Sequence, residues 1–230
     1  MMCFGLVGHP VAHSWSKVIH EDYYRTNGIN ASYELIDLAD INDFRKVMEK
    51  MDGVNVTIPY KKSVIPMLDW VSDEAREIGA VNTVVKRNGC LCGYNTDVAG
   101  FRKMAEGIEG MRTLVLGDGG AAQAVKHVLC GLGCPFSCVT HAEMDDGLVS
   151  VKEFDVVVNA TPIGMFPDVE ICPPINYENV REGMIFLDLV YNPEVTEFMR
   201  RGMDKKAKAI GGIEMLKEQA YVTIGLFLEQ

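Results

Sequence analysis

A glycine-rich segment in the middle of the chain has the residue types and spacing of a phosphate-binding loop. Gly117-Asp118-Gly119-Gly120-Ala121-Ala122 matches G-x-G-x-x-A, follows an apolar run and precedes a stretch with helical spacing. In such a loop the first glycine makes a tight turn, the second lets the backbone approach a pyrophosphate, and the helix start supplies N–H groups. A glycine turn without a ligand is the alternative. The flanking strand and helix patterns favour dinucleotide binding.

The segment after the next predicted strand bears on which nucleotide would bind. An acidic residue there selects a ribose 2′-hydroxyl, whereas an arginine accepts a 2′-phosphate. The segment is Val139-Thr140-His141-Ala142-Glu143, which has no arginine and places Glu143 slightly late. Only twelve residues separate His141 from Phe154, near the minimum for one helical crossover. The choice between NAD and NADP therefore stays open, and we expect a strand–helix pair common in this fold to be missing.

Polar residues at the ends of predicted elements in the first hundred residues could bind a small ligand. Ser14 and Ser16 open a helix, where two hydroxyls can bind a carboxylate, although spacing alone favours a helix cap. Asn55 and Thr57 alternate with apolar residues and so share one face of a strand. Lys61 follows in a loop and is by default a surface lysine. Further polar groups at element ends are Asn82-Thr83 and Asn95-Thr96-Asp97. Each of these alone is more often structural than functional.

The elements that must position these residues alternate between strand and helix patterns. Strands are predicted at residues 3–7, 33–38, 53–58, 81–86, 90–93, 113–116, 136–141, 154–159, 184–189 and 207–210. Helices are predicted at 13–27, 41–51, 73–78, 96–107, from the glycine loop to 132, and at 193–201 and 214–228. We therefore expect an α/β fold with two domains. Residues 1–99, with a returning C-terminal helix at 213–230, would form one domain with a mostly parallel sheet. Residues 100–212 would form a Rossmann-like dinucleotide-binding domain with a shortened edge.

Composition excludes several classes of protein. The 230 residues are 48% apolar and 23% charged, which suits a soluble globular protein and excludes disorder. The net charge of −10 argues against a nucleic-acid or anionic-membrane surface. No stretch approaches the roughly 18 apolar residues of a membrane span, and no secretory signal is recognisable. The seven cysteines suggest a reducing compartment, and Cys90-Leu91-Cys92 lacks the second pair that zinc would need. We expect a cytoplasmic protein without a metal site.

Taken together, eight short segments resemble the shikimate dehydrogenase family in order and in spacing. They are HSWS, GVNVTIPYK, GAVNT, GYNTD, GDGGAA, NATPIGM, DLVYNP and GGIEMLKEQA, and the resemblance runs from about residue 4 to about residue 228. It implies two α/β domains around a cleft, the first binding substrate and the second NADP. It also implies reversible hydride transfer between shikimate plus NADP+ and 3-dehydroshikimate plus NADPH, in the route to chorismate and the aromatic amino acids.

The resemblance also implies roles for individual residues. Lys61 and Asp97 fall on the family's catalytic pair, in which the lysine exchanges the hydroxyl proton and the carboxylate orients it. Substrate-binding positions are Ser14 and Ser16 for the carboxylate, and Thr57, Asn82, Asp97, Tyr191 and Gln219 for the hydroxyls. Cofactor-binding positions are Asp73, Gly117, Gly119, Gly120, Ala121, Ala122, Asn159, Ala160, Thr161, Gly212 and Met215.

Three departures from the family pattern matter. Lys17 stands where the family usually has proline. Thr140-His141-Ala142 replaces the Asn-Arg-Thr signature that normally grips the 2′-phosphate, and the helix carrying a second arginine is missing with its strand. We therefore expect lower NADP specificity and weaker cofactor affinity, whereas the substrate half departs far less.

Three hypotheses for the function follow. The leading one is an NAD(P)-dependent shikimate dehydrogenase, because the substrate half keeps every implied residue. A near alternative is an NAD-dependent quinate/shikimate dehydrogenase, suggested by the missing arginine. An alternative from another class is a non-catalytic regulatory module that binds shikimate, suggested by the shortened nucleotide half. We expect small-molecule partners (shikimate or 3-dehydroshikimate), no nucleic acid, no membrane, and a monomer or homodimer.

Overall fold

The computed structural model describes residues 1–229, which form two compact units. The first unit comprises Met1–Asp97 together with the segment from Lys217 onward, and the second comprises Val98–Leu216. The sequence predicts the corresponding boundaries after residue 99 and before residue 213. Each unit is built on its own sheet, as expected for an α/β chain with two domains.

The first unit contains a six-stranded sheet with helices. Its strands are β1 (Met2–Gly8), β2 (Ala31–Asp37), β3 (Gly53–Val56), β4 (Trp70–Val71), β5 (Thr83–Arg87) and β6 (Cys90–Tyr94). Its helices are α1 (Ser16–Thr26), α2 (Phe44–Met48) and α3 (Asp73–Ile78), with α4 (Asp97–Met104) starting at its last residue and α8 (Ile213–Leu228) entering it at Lys217. The strand order is β2-β1-β3-β5-β6-β4, and only β5 runs antiparallel to its neighbours. The predicted mostly parallel sheet is confirmed.

Two apolar clusters hold this sheet between its helices. One includes Phe44, Val54 and Val84, and the other gathers aromatic side chains around Phe4 and Tyr33. In the second cluster Phe4 stacks on Phe227 of α8, with ring centroids 4.4 Å apart. Burying a large side chain of this kind contributes roughly 1.5–3 kcal/mol. This packing anchors α8 on the first sheet and brings the polar face of α8 to the ends of the strands.

The second unit is a five-stranded parallel sheet. Its strands are β7 (Thr113–Leu116), β8 (Phe136–Val139), β9 (Val156–Asn159), β10 (Ile185–Asp188) and β11 (Lys208–Ile210). Its other helices are α5 (Gly120–Gly131), α6 (His141–Asp145) and α7 (Glu197–Asp204). The strand order β11-β10-β9-β7-β8 leaves β8 at the edge, next to the strand that precedes the glycine loop. A full Rossmann sheet would have one more strand beyond β8, so the predicted shortened edge is confirmed.

Local capping explains where the elements begin and end. Helix α3 matches its prediction, because the Ser72 side chain accepts from the Ala75 N–H and Gly79 ends the helix at φ +71°. The predicted strand at 136–141 is wrong at its end, because Thr140 caps α6 and His141 is helical. The predicted helix at 41–51 is a 3-10 turn, Ile41–Asp43, followed by the shorter α2.

Candidate active site

An ion pair that is largely shielded from solvent lies at the ends of elements in the first unit. Lys61 Nζ is 2.6 Å from Asp97 Oδ2, and the two side chains are 14% and 7% exposed. The loop after β3 carries Lys61, and its backbone is fixed because the Lys61 carbonyl accepts from the Val81 N–H at 2.7 Å. Asp97 opens α4, and its N–H donates to Asn95 Oδ1 at 3.1 Å. An ammonium group held against a carboxylate in this way can exchange a proton with a nearby hydroxyl group.

Asn82 fixes the other oxygen of the Asp97 carboxylate. Asn82 Nδ2 donates to Asp97 Oδ1 at 2.9 Å and to Thr96 Oγ1 at 2.9 Å, while Asn82 Oδ1 accepts from the Thr96 N–H at 2.7 Å. Gln219, on α8, brings Oε1 to 3.5 Å from Asn82 Nδ2. The structure therefore brings together four of the sequence-predicted site residues, namely Lys61, Asn82, Asp97 and Gln219.

Behind these residues lies a buried polar network, in which Thr223 and Tyr33 join polar residues that the sequence already singles out. Thr223 of α8 is fully buried, and its Oγ1 lies 3.0 Å from Thr96 Oγ1 and 3.1 Å from Thr83 Oγ1. Asn55 Nδ2 donates to Thr223 Oγ1 at 3.2 Å, and Asn55 Oδ1 accepts from the Tyr33 hydroxyl at 2.7 Å. Buried polar groups of this kind are costly unless each finds partners, so the network holds Asn82 and Thr96 in one arrangement. In the sequence, the feature that could have predicted this network is the run of polar residues at strand ends.

The other predicted substrate residues lie at separate positions. Ser14 Oγ is 3.1 Å from Ser16 Oγ and accepts from the Ser16 N–H at 3.2 Å, so it satisfies one N–H at the start of α1. The N-cap of α1 is Trp15, without a side-chain cap, so the prediction that Ser14 or Ser16 is the N-cap is wrong. The two serine hydroxyls lie side by side. Thr57 is half-buried just after β3. Tyr191 belongs to the second unit, after β10. The Asp73 carboxylate, predicted to contact cofactor, is exposed and pairs with Arg76 at 2.9 Å.

The glycine loop of the second unit has the geometry that a pyrophosphate requires. Gly117 has φ +104°, and a Cβ there would lie 2.8 Å from Thr161 Cγ2, so a larger residue would not fit. Gly119 is the N-cap of α5, no side chain caps that helix, and a Cβ on Gly119 would meet no atom within 4 Å. The open N–H groups at the start of a helix attract phosphate. Gly120, Ala121 and Ala122 follow as the first turn. The residues present therefore fit a dinucleotide.

Two more predicted cofactor segments surround the strand ends of this unit. Asn159 ends β9, and its Oδ1 accepts from the Thr161 N–H at 3.1 Å and from Thr161 Oγ1 at 2.6 Å, shaping the turn that contains Ala160. Gly212 admits no side chain, because a Cβ there would lie 2.4 Å from the Leu189 carbonyl oxygen. Met215, in the first turn of α8, is buried.

A buried carboxyl group that the sequence did not reveal supports this turn. Asp188 of β10 is fully buried and accepts from Asn159 Nδ2 at 2.9 Å, from the Val190 N–H at 3.0 Å and from Thr196 Oγ1 at 2.5 Å. Burial raises the pKa of Asp188 from 3.8 to about 6, although the three hydrogen bonds lower it. An apolar strand pattern hides such a residue, because its partners are far away in sequence.

Asp188→Asn is expected to change how stability depends on pH. The folded state retains a proton on Asp188 up to about pH 6, whereas the unfolded chain releases it near 3.8. The stability contribution of this proton is therefore present below pH 3.8 and is lost as the pH rises through 6, by about 3 kcal/mol. Urea unfolding followed by circular dichroism should show Asp188→Asn gaining stability relative to the parent between pH 4 and pH 7. If the stability difference between Asp188→Asn and the parent is the same at pH 4 and at pH 7, the raised pKa of Asp188 is contradicted.

The described residues contain neither a cluster of metal ligands nor a helix suited to span a membrane. Within residues 1–229 no three His, Cys, Asp or Glu side chains converge as a metal site would require. Within the same residues no helix combines the length and the apolar content of a membrane-spanning segment.

Comparisons with known proteins point to one family. The family model described as the shikimate dehydrogenase substrate binding domain matches residues 6–84. A shikimate dehydrogenase (NADP(+)) of Caldanaerobacter subterraneus subsp. tengcongensis is 33% identical, over 99% of this chain and 93% of the relative. A second shikimate dehydrogenase (NADP(+)), of Clostridium beijerinckii, is 36% identical over 96% of this chain and 89% of its own.

Solved structures agree with these relatives. Shikimate 5-dehydrogenase of Thermus thermophilus, in complex with NADP(H) and shikimate, superimposes with a TM-score of 0.87. It is 35% identical, and the match covers all of this chain and 94% of that structure. Shikimate dehydrogenase 1 of Peptoclostridium difficile gives a TM-score of 0.87 at 31% identity, covering 100% of this chain and 93% of the other. On this full-length similarity in sequence and in fold, the chain belongs to the shikimate dehydrogenase family.

Proposed function

We propose that this protein catalyses the reversible NADP-dependent oxidation of shikimate to 3-dehydroshikimate. The observation that carries the proposal is the shielded pair of Lys61 and Asp97, 2.6 Å apart, with Asn82 bonded to the same carboxylate. Full-length relatives named for this activity support it. The reaction belongs to the route to chorismate and the aromatic amino acids, and we propose that it takes place in the cytoplasm.

Proton transfer is assigned to Lys61. When the substrate alcohol is oxidised, its hydroxyl proton must leave as the hydride leaves the carbon, and the neutral amine form of Lys61 is proposed to accept it, becoming the ammonium group that pairs with Asp97. In the reverse direction Lys61 returns the proton to the new alkoxide oxygen. Asp97 binds the lysine through Oδ2 and is held by Asn82 through Oδ1, so the pair is fixed before substrate arrives.

Substrate orientation is assigned to the surrounding polar groups. The adjacent hydroxyls of Ser14 and Ser16 suit a substrate carboxylate, which needs hydrogen-bond donors. Asn82 and Gln219 are already near the ion pair and can bond ring hydroxyls. Thr57 and Tyr191 are proposed to complete the set. Together these residues would distinguish a hydroxylated cyclic acid from apolar molecules of similar size.

The cofactor is proposed to bind through the glycine loop, with the pyrophosphate at the start of α5. A nucleotide held there would supply the hydride chemistry through its nicotinamide ring. The residues proposed to hold the nucleotide are Asp73, Gly117, Gly119, Gly120, Ala121, Ala122, Asn159, Ala160, Thr161, Gly212 and Met215. NADP is the proposed nucleotide, because the relatives are named for it, and NAD is the alternative.

Initial rates with four substrate and cofactor pairs test the proposal. Shikimate and quinate are each offered with NADP+ and with NAD+, and reduced nucleotide is followed by its absorbance. We expect shikimate to be oxidised, and faster than quinate. Faster oxidation of quinate with NAD+ would favour the quinate/shikimate dehydrogenase alternative instead.

The non-catalytic alternative makes a different prediction. A regulatory module would bind shikimate but neither nucleotide, so calorimetric titration with shikimate, NADP+ and NAD+ separates it from an enzyme. The intact glycine loop favours nucleotide binding. We propose that the chain acts as a monomer or homodimer on small molecules, without nucleic-acid or membrane partners.

A further inference from the structure

The end of strand β8 lies directly beside the glycine loop. Leu116 of β7 is paired with Val139 of β8, and the Gly117 N–H donates to the Val139 carbonyl at 2.8 Å. The next residue, Thr140, therefore follows the strand that neighbours the loop strand. In dinucleotide-binding sheets this position meets the adenosine ribose, where an acidic side chain bonds the 2′-hydroxyl.

Glu143 comes three residues later in the sequence, but its carboxylate is folded back to this position. Glu143 Oε2 accepts from the Thr140 N–H at 2.8 Å and from Thr140 Oγ1 at 2.8 Å, and the Glu143 N–H donates to Thr140 Oγ1 at 3.3 Å. This reciprocal capping box places the carboxylate at the end of β8. Both hydrogen bonds to the carboxylate involve Oε2, so Oε1 is available to accept from a ligand hydroxyl.

Among residues 1–229, no basic side chain pairs with this carboxylate to offset its charge. Hydrogen bonds from the backbone and side chain of Thr140 lower the pKa of Glu143, and no lysine or arginine contributes to the shift. Because β8 is the edge strand of the described sheet, no further strand of that sheet brings in a basic residue beyond it. A 2′-phosphate would bring about −1.5 to −2 further charges to the same place at neutral pH.

We propose that Glu143 reads the 2′ position of the adenosine ribose, accepting a hydrogen bond from a free 2′-hydroxyl and disfavouring a 2′-phosphate. The proposal rests on the dinucleotide site of the proposed function and adds the residue that sets its selectivity. If Glu143 has this role, the preference of this chain for NADP over NAD is weaker than it would be with a neutral residue at position 143.

Glu143→Gln separates this role from simple helix capping. Glutamine also fits the third position of a capping box, so the variant keeps the Thr140 contacts and loses only the charge. Asp146→Asn is the matched control, because Asp146 is exposed at the end of the same short helix and its loss changes the net charge equally. Neither residue belongs to the proposed catalytic pair.

Calorimetric titration with adenosine 2′,5′-bisphosphate and with adenosine 5′-monophosphate provides a readout that is independent of turnover. In Glu143→Gln we expect affinity for the bisphosphate to rise about 5- to 10-fold, which is the effect of one partly screened charge a few ångströms away. This gain in bisphosphate affinity should shrink in about 0.5 M salt, because the Debye length there is only a few ångströms and the charge on Glu143 is screened. Affinity for the monophosphate should stay constant or fall a few-fold, and Asp146→Asn should leave both affinities within about twofold.

Three outcomes would overturn the inference. An unchanged ratio of the two affinities in Glu143→Gln would remove Glu143 from the ribose site. An equal gain in Asp146→Asn would reduce the effect to net charge. If neither probe binds the parent protein, the nucleotide site itself is wrong. By contrast, normal probe binding in a protein that does not oxidise shikimate would refute the proposed function alone.

Discussion

Lys61→Ala is expected to lower the rate of shikimate oxidation by roughly 10²- to 10⁴-fold, the usual contribution of a positioned acid–base group. Shikimate binding should weaken less, by no more than about 10-fold, because the serines, Asn82 and Gln219 do not depend on the lysine for their positions. This asymmetry between turnover and binding is what distinguishes a group that moves a proton from one that only holds the substrate.

The measurement pairs steady-state rates with calorimetric titration of shikimate. Lys62→Ala is the matched control, because the neighbouring lysine is exposed and has no assigned role. We expect it to stay within about twofold of the parent in both quantities. A Lys61→Ala protein that retains a third or more of the parental turnover would remove Lys61 from the proton path.

Loss of the lysine also leaves Asp97 without its cationic partner. Removing one member of a buried ion pair typically costs about 3–5 kcal/mol, although Asn82 still bonds the remaining carboxylate. Lys61→Gln is therefore a useful second variant, since an amide can still donate to Asp97 but cannot exchange a proton with the substrate. If Lys61→Gln folds, binds shikimate and turns over normally, the assignment fails in the same way.

The parts of the fold that the sequence predicts well are those fixed by local interactions. Helix α3 shows this, because its start at Ser72 and its stop at Gly79 each depend on contacts within a single turn. The two-residue strand β4, Trp70–Val71, is too short to show a period, so no pattern could have predicted it. The shortened edge of the second sheet was predictable, because a dozen residues leave no room for another strand and helix.

The site was less predictable from the residues alone. Lys61 and Asp97 are far apart in sequence, so the spacing of residues could not predict that they form a pair. Only the resemblance to a family predicted it. Asp188 and Thr223 stand in apolar patterns, where buried polar residues look like packing until their distant partners are known. Glu143 is an intermediate case. The T-x-x-E capping signature was present in the sequence, but the consequence for the ribose site needed the pairing of β7 with β8.

Because of His20, the first unit should become less stable as the pH falls. The side chain is fully buried, stacks on Tyr33 with ring centroids 4.1 Å apart, and places Nδ1 3.2 Å from the Tyr24 hydroxyl. Its Nε2 is buried without a hydrogen-bond partner in the described part of the chain, and the ring of Phe227 lies 6.1 Å away. Burial lowers the pKa of His20 from 6.5 to about 3, because an imidazolium ion would be poorly solvated among these rings.

The direction of the pH effect follows from proton uptake. Between pH 6.5 and about 3 the unfolded chain binds a proton at His20 that the folded protein does not, so stability is full above 6.5 and is lost as the pH falls. Over the whole range the folded protein loses about 5 kcal/mol of stability through this group. Between pH 7 and pH 5 the loss is about 2 kcal/mol. His20→Phe keeps the stacking and removes the titration, so its stability should fall about 2 kcal/mol less than that of the parent over this step.

Tryptophan fluorescence during urea unfolding isolates this effect, because both tryptophans, Trp15 and Trp70, belong to the same unit as His20. Loss of the contact between His20 and the Tyr24 hydroxyl lowers the stability of His20→Phe at every pH, so the informative quantity is the change between pH 7 and pH 5. Other carboxylates and histidines titrate alike in both proteins and cancel in that comparison. If His20→Phe loses as much stability on acidification as the parent does, the folded protein must accommodate a charged His20, and its aromatic surroundings would then have to admit water or rearrange.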